Sequence, residues 1–141
     1  ELIAKDSLYD SVDADFSLME FNLVNIQNSN NDCIDLSYGD YSFKKVELKF
    51  CGDKAISVGE TSKVKIEDLL VSNANIGLAA KDYGFVSINN GKISKTKSCV
   101  EAYNKKQEFS GGYVTSNKLK CIDSVRNSWT DKHSLLKVNF L

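Results

Sequence analysis

Six aliphatic residues stand at a constant step in this chain: Val12, Ile34, Ile56, Leu78, Val100 and Ile122 are each 22 residues apart. Two positions on, Ala14, Leu36, Val58, Ala80 and Ala102 keep the step and are again small or apolar; one position before stand the small residues Ser11, Cys33, Ala55, Gly77, Cys99 and Cys121. A second set fills the other half of each repeat. Ile26, Leu48, Val71 and Ile93 align, with Val24, Val46, Leu69 and Gly91 two residues earlier, Phe21, Phe43, Ile66 and Ile88 five earlier, and Met19, Tyr41, Val64 and Val86 seven earlier. Apolar residues alternating with polar ones inside each group are the pattern of short strands with one buried face.

A period of this length with several short strands and no helix-length amphipathic run specifies a solenoid. Leucine-rich repeats are excluded because no L-x-x-L-x-L pattern recurs, and a coiled coil because there are no heptads. The expected fold is all-β, a right-handed parallel β-helix of five to six coils of about 22 residues, each stacked about 4.8 Å from the next. Handedness here follows the general rule for crossovers between parallel strands. No single coil can bury its inward face alone, so the aliphatic columns must supply the stability.

Composition agrees. The chain has 141 residues, 42% of them hydrophobic, and a formal net charge of -1, which suits one domain. No apolar run reaches the roughly 18 residues of a spanning helix, and the interspersed charges give no basic field for phosphates. Neither membrane insertion nor nucleic-acid binding is expected. Proline is absent while Asn, Ser, Asp and Gly abound, so turns must use residues that tolerate left-handed or side-chain-bonded backbone.

The period breaks near the carboxyl end. Val114 and Leu119 match Ile88 and Ile93 with a 26-residue step, which puts an insertion of about four residues in the segment 103–113. Such an excursion is where a binding surface is most readily added. Residues 126–141 are expected to form a terminal coil or a cap, and the whole is read as a single domain belonging to a longer chain.

Asp32-Cys33-Ile34-Asp35-Leu36-Ser37, Lys54-Ala55-Ile56-Ser57-Val58-Gly59 and Ile76-Gly77-Leu78-Ala79-Ala80-Lys81-Asp82 resemble the coils of bacterial right-handed parallel β-helix repeats. The segment from Ala102 to Phe109, followed by Gly111-Gly112, is similar to a terminal-coil segment in β-helix regions of large bacterial cell-surface proteins, some with a CotH-kinase-like domain. The resemblance implies a cell-surface or extracellular setting. It does not select an activity, since lyases, epimerases, tailspikes, adhesins and inert spacers share the coil.

Three groups of residues carry the chemical alternatives. Asp13, Asp35 and Glu101 lie on one outward column that continues through Ser57, Ala79 and Asp123; they are the catalytic candidates if the chain is a polysaccharide lyase or epimerase. That column has no basic proton acceptor, and two acids are too few for calcium. Tyr103, Phe109 and Tyr113 around the insertion are the best aromatic set for stacking a sugar ring. Cys33 and Cys99 share a column three coils apart, about 14 Å by the stacking distance, too far to bond to each other. Cys51 falls in a turn and Cys121 near a strand end, and the four are expected to be reduced thiols filling a tight interior, which favours the cytoplasm against the resemblance. No paired Cys or His spacing suggests zinc, and His133 has no fixed catalytic partner. No metal or cofactor is expected.

The leading expectation is therefore a non-catalytic module: a stalk, adhesin or glycan-contacting segment of a larger bacterial surface or extracellular protein. Polysaccharide, a second copy of the chain and flanking domains are the expected partners. The rivals are the carbohydrate-active enzyme and an oligomerisation segment that pairs through Leu135 to Leu141.

Overall fold

The computed structural model describes residues 1–141 and contains strands without helices. In chain order they are β1 (Leu2–Ser7), β2 (Val12–Asp15), β3 (Leu18–Ser29), β4 (Ile34–Ser37), β5 (Asp40–Val58), β6 (Lys63–Lys81), β7 (Phe85–Tyr103), β8 (Tyr113–Ile122), β9 (Arg126–Thr130) and β10 (Leu135–Phe140). All pairings are parallel and each joins a strand to the one a coil away, so the chain is a parallel β-solenoid of about six turns. The long strands β5, β6 and β7 bend around corners, and the β5–β6 register shifts at one of them, between Cys51 and Lys54.

Register follows the aliphatic columns. Val12 pairs with Ile34, Ile34 with Ile56, Ile56 with Leu78 and Leu78 with Val100. The other columns stack in the same way, Ile26 on Leu48, Val71 and Ile93. Ile34, Ile56, Leu78 and Val100 are buried, and with the second set they form one continuous core. Like on like is the economical packing of a stacked coil, because each residue meets the same cross-section above and below.

The register beyond the insertion differs from expectation. Val114 stacks on Val86 and Leu119 on Gly91, a step of 28 residues rather than 26, and Val100 pairs with Ser128. The insertion is thus about six residues long. Ile122 pairs with Ser94 and leaves the column it matched by spacing, while Trp129 takes the place on Glu101 expected of Asp123. Six residues preserve the inward and outward alternation as well as four do, so parity alone did not separate the two registers. β9 and β10 continue the stack on β7 and β8.

The corners also carry a surprise. Left-handed backbone recurs at Asp6, Asn28, Phe50, Asn73 and Lys95, and at Phe16, Tyr38, Thr61 and Tyr83, while no glycine has positive φ. Glycines serve close approach instead. A Cβ on Gly84 would stand 2.7 Å from the Val58 carbonyl oxygen of the preceding coil.

The cysteines correct the expectation of reduced thiols. Cys33 bonds to Cys51 and Cys99 to Cys121, leaving none free. Each pair joins neighbouring coils, with Cα atoms 5.4 and 6.2 Å apart. The column argument compared Cys33 only with Cys99. Cys51 stacks on Ser29, four residues before Cys33, and Cys121 on Ile93, six before Cys99, so each disulfide ties adjacent coils together near one corner.

Candidate functional site

The outward face of β2 and β4 brings Asp13 directly beside Asp35, and Asp15 beside Ser37. The following corner adds Tyr38 and Glu60, β6 contributes Lys81, and the inserted loop contributes Lys105 and Lys106. Together they line a groove of about 310 Å³. Acids and lysines therefore converge on one strand face. Nearest-neighbour spacing could not reveal this, because the lysines come from two coils away and from the insertion.

The loop reaches the groove because Asp82 holds it. Asp82 is fully buried, and its Oδ1 accepts hydrogen bonds from the backbone N–H groups of Lys105 and Lys106 at 2.7 and 2.8 Å. Asn104 secures the rest: its Nδ2 donates to the carbonyls of Lys106, Phe109 and Ser110, and its backbone N–H donates to Asp131 Oδ2 at 2.7 Å. So fixed, the loop folds back along the solenoid, and the Lys106 ammonium pairs with the buried carboxylate of Glu60. The second Glu60 oxygen accepts from Ser37 Oγ at 2.7 Å. Burial alone would raise the Glu60 carboxyl, but Lys106, Ser37 and the field of Lys81 hold it below the ordinary glutamate value.

Along the rim of the groove runs an aromatic ridge. Phe16 and Tyr38 occupy equivalent left-handed corners and stack with centroids 4.6 Å apart and planes 4° apart. Phe109 stands edge-on to Tyr38 at 6.5 Å and to Tyr83 at 6.1 Å. Positive φ at Phe16, Tyr38 and Tyr83 turns these three rings outward, and Phe16 stays 76% exposed.

The expected site residues are distributed differently. Asp13 and Asp35 meet, as their shared column requires, and burial followed by the charges of Asp35, Asp15 and Asp10 pushes the Asp13 carboxyl up. Glu101 is three coils from Asp35 and is buried against Arg126, away from the groove. Tyr103, Phe109 and Tyr113 fall into three separate ring sets: Tyr103 with Trp129 at 6.0 Å, Phe109 on the ridge, and Tyr113 stacked on Phe85 at 4.9 Å. His133 is exposed in the turn before β10. Phe16, Glu60, Lys81 and Lys106 were not singled out from the sequence. The repeating aromatic positions Phe16, Tyr38 and Tyr83 were the available signal, since they share a corner column.

A second acidic group adjoins the groove and shares Asp35 with it: carboxylate oxygens of Asp10, Asp32 and Asp35 come within 4.8 Å of one another. Asp10 Oδ1 accepts from the Asp32 N–H at 2.9 Å, Asp32 Oδ1 accepts from the Lys54 N–H at 2.9 Å, and the Lys54 ammonium is 3.6 Å from Asp32. Burial raises the Asp32 carboxyl against these contacts. Asp10 and Asp32 thus tie successive coils together at one corner. Compared with known proteins, the chain matches no family model, no curated protein and no solved structure.

Proposed function

We propose that this β-solenoid is a non-catalytic glycan-contacting module that works outside the reducing cytoplasm. The observation that carries the reading is the ridge of exposed Phe16 and Tyr38 with half-buried Phe109, beside a groove of carboxylates and ammonium groups. Flat rings stack on the apolar faces of sugars, while the neighbouring charges accept and donate hydrogen bonds to hydroxyls. Two disulfides and the absence of free thiols support an oxidising setting. The coil resemblance to bacterial surface repeats supports a stalk or adhesin context.

A second reading, a polysaccharide lyase or epimerase, draws on the adjacency of Asp13 and Asp35 and on Lys81 in the same groove. Glu101 has no part in it, being held by Arg126 away from the groove.

Binding of the purified chain to a panel of bacterial and plant polysaccharides, with parallel assays for unsaturated or shortened products, tests both. The module reading expects saturable binding without product, lost in the Tyr38→Ala and Phe109→Ala double variant. Binding indifferent to that variant would overturn it, and product formation abolished by Asp35→Ala would replace it with the enzyme.

A further inference from the structure

The groove holds charges of both signs that the protein does not pair. At one end Asp13, Asp15 and Asp35 have no hydrogen-bond or ion-pair partner for their carboxylates, and Asp35 Oδ1 is buried without a donor. Lys81 lies towards the other end. It is only 8% exposed, and its ammonium makes no hydrogen bond or ion pair within the protein. Its stem lies against Gly59, where a Cβ would stand 3.4 Å from Lys81 Cε and 3.7 Å from Ser37 Oγ. Glu60 lines the same groove but is already engaged by Lys106 and Ser37. With its stem packed and its ammonium facing the groove without a hydrogen-bond partner in the protein, Lys81 is placed to receive an anion.

Asp35 and Lys81 form no ion pair with each other in the structure. Asp35 pairs with Ser57 and Ser57 with Ala79, two residues before Lys81, so their strands are two coils apart, about 9.5 Å by strand spacing. The ladder fixes the separation of the strands, and a bound molecule can bridge the two groups.

We infer that the groove takes a saccharide bearing both a free amine and a carboxylate, the amine against Asp13 and Asp35 and the carboxylate on Lys81. This rests on the glycan-contacting reading and names its ligand class. Lys105, extending from the same loop as Lys106, adds a second cation at the carboxylate end. A purely anionic chain would meet the unpaired acids, and a purely cationic one would leave Lys81 unsatisfied.

The experiment is calorimetric titration with hyaluronan oligosaccharides stripped of their N-acetyl groups, so that amines and carboxylates alternate. The N-acetylated parent, with carboxylates only, and chitosan oligosaccharides, with amines only, are the comparators. The stripped ligand should bind about tenfold more tightly than either comparator. Lys81→Met should reduce its affinity to the level of chitosan, and Asp35→Asn to the level of the parent. Equal affinity for stripped and parent ligands, or a folded Lys81→Met variant without effect, would overturn the inference.

Two further probes separate it from the reading beneath it. Uncharged cello-oligosaccharides that bind through Tyr38, with neither charge variant mattering, would keep the glycan reading and sink the ligand class. Amide shifts around Asp35 and Lys81 on adding 6-aminohexanoate, with no saccharide bound, would keep the paired-charge groove and sink the glycan reading. Silence with every probe would overturn both.

Discussion

Leu119 fills the space that Gly91 leaves in the coil beneath it: a Cβ on Gly91 would stand 2.5 Å from Leu119 Cδ1, and the two residues are register partners. The large residue and the missing side chain are one packing unit, and they define the register after the insertion. Leu119→Ala should cost about 2–5 kcal/mol of unfolding free energy through the cavity it opens. Gly91→Val should cost about 1–3 kcal/mol through overpacking. The double variant should recover part of the loss, and urea unfolding of the four proteins measures the coupling. Strict additivity would mean that the two residues do not share a site.

Each disulfide closes a short loop, 18 residues apart for Cys33–Cys51 and 22 for Cys99–Cys121. Replacing either pair with alanines should cost about 2–4 kcal/mol. Peptide mapping without reductant should recover the two linked pairs. Four alkylatable thiols in the native protein would contradict the pairing, and with it the oxidising setting.

Asp82→Ala should free the inserted loop while leaving the solenoid folded. The substitution removes the acceptor for the Lys105 and Lys106 N–H groups, and each lost charge-assisted bond is worth about 1.5–3 kcal/mol locally. Limited trypsin digestion should then cut after Lys105 or Lys106 much faster than in the parent, with an unchanged far-ultraviolet spectrum. An equal cleavage rate would show that Asn104 holds the loop by itself.

Acid should release the same loop through Glu60. Its carboxyl lies below the ordinary glutamate value in the folded chain, with burial opposed by Lys106, Ser37 and Lys81. A depressed folded value means that its contribution to stability is complete above the ordinary value and is lost as pH falls through the depressed one. The stability difference between the parent and Glu60→Gln should therefore be largest at neutral pH and vanish in acid. A difference that grows as pH falls would reverse the assigned sign.

Thr61 holds φ at 57°, a poor conformation for a β-branched residue. Its side chain is exposed, and Asn tolerates the left-handed region better. Thr61→Asn should raise the thermal midpoint, by an amount equivalent to about 1 kcal/mol. A lower midpoint would mean that the threonine makes a contact worth more than the strain.

The solenoid and its core were legible because stacking converts sequence period into spatial columns. Ile34, Ile56 and Leu78 meet whatever the side chains around them do, and the adjacency of Asp13 and Asp35 follows from the same arithmetic. Parity misled where the period broke, since steps of 26 and 28 both keep alternation, and Ile122 fitted its column by spacing alone. It was packing, with Leu119 against Gly91, that chose between them.

Contacts made across the coil or along the axis were settled only by the tertiary structure. Cys33 meets Cys51 near a corner between adjacent coils, and Lys106 reaches Glu60 because Asp82 anchors a loop that doubles back over two coils. The sequence by itself determined which residues stack, since a repeat fixes each residue's neighbours one period away. Closure of the coil and the path of the insertion decided the disulfides, the mixed-charge groove and the aromatic rim. Cys99 with Cys121 and Phe16 with Tyr38 stand one period apart, whereas Cys33 with Cys51, Lys106 with Glu60 and Phe109 with Tyr38 meet through distances that no single period relates.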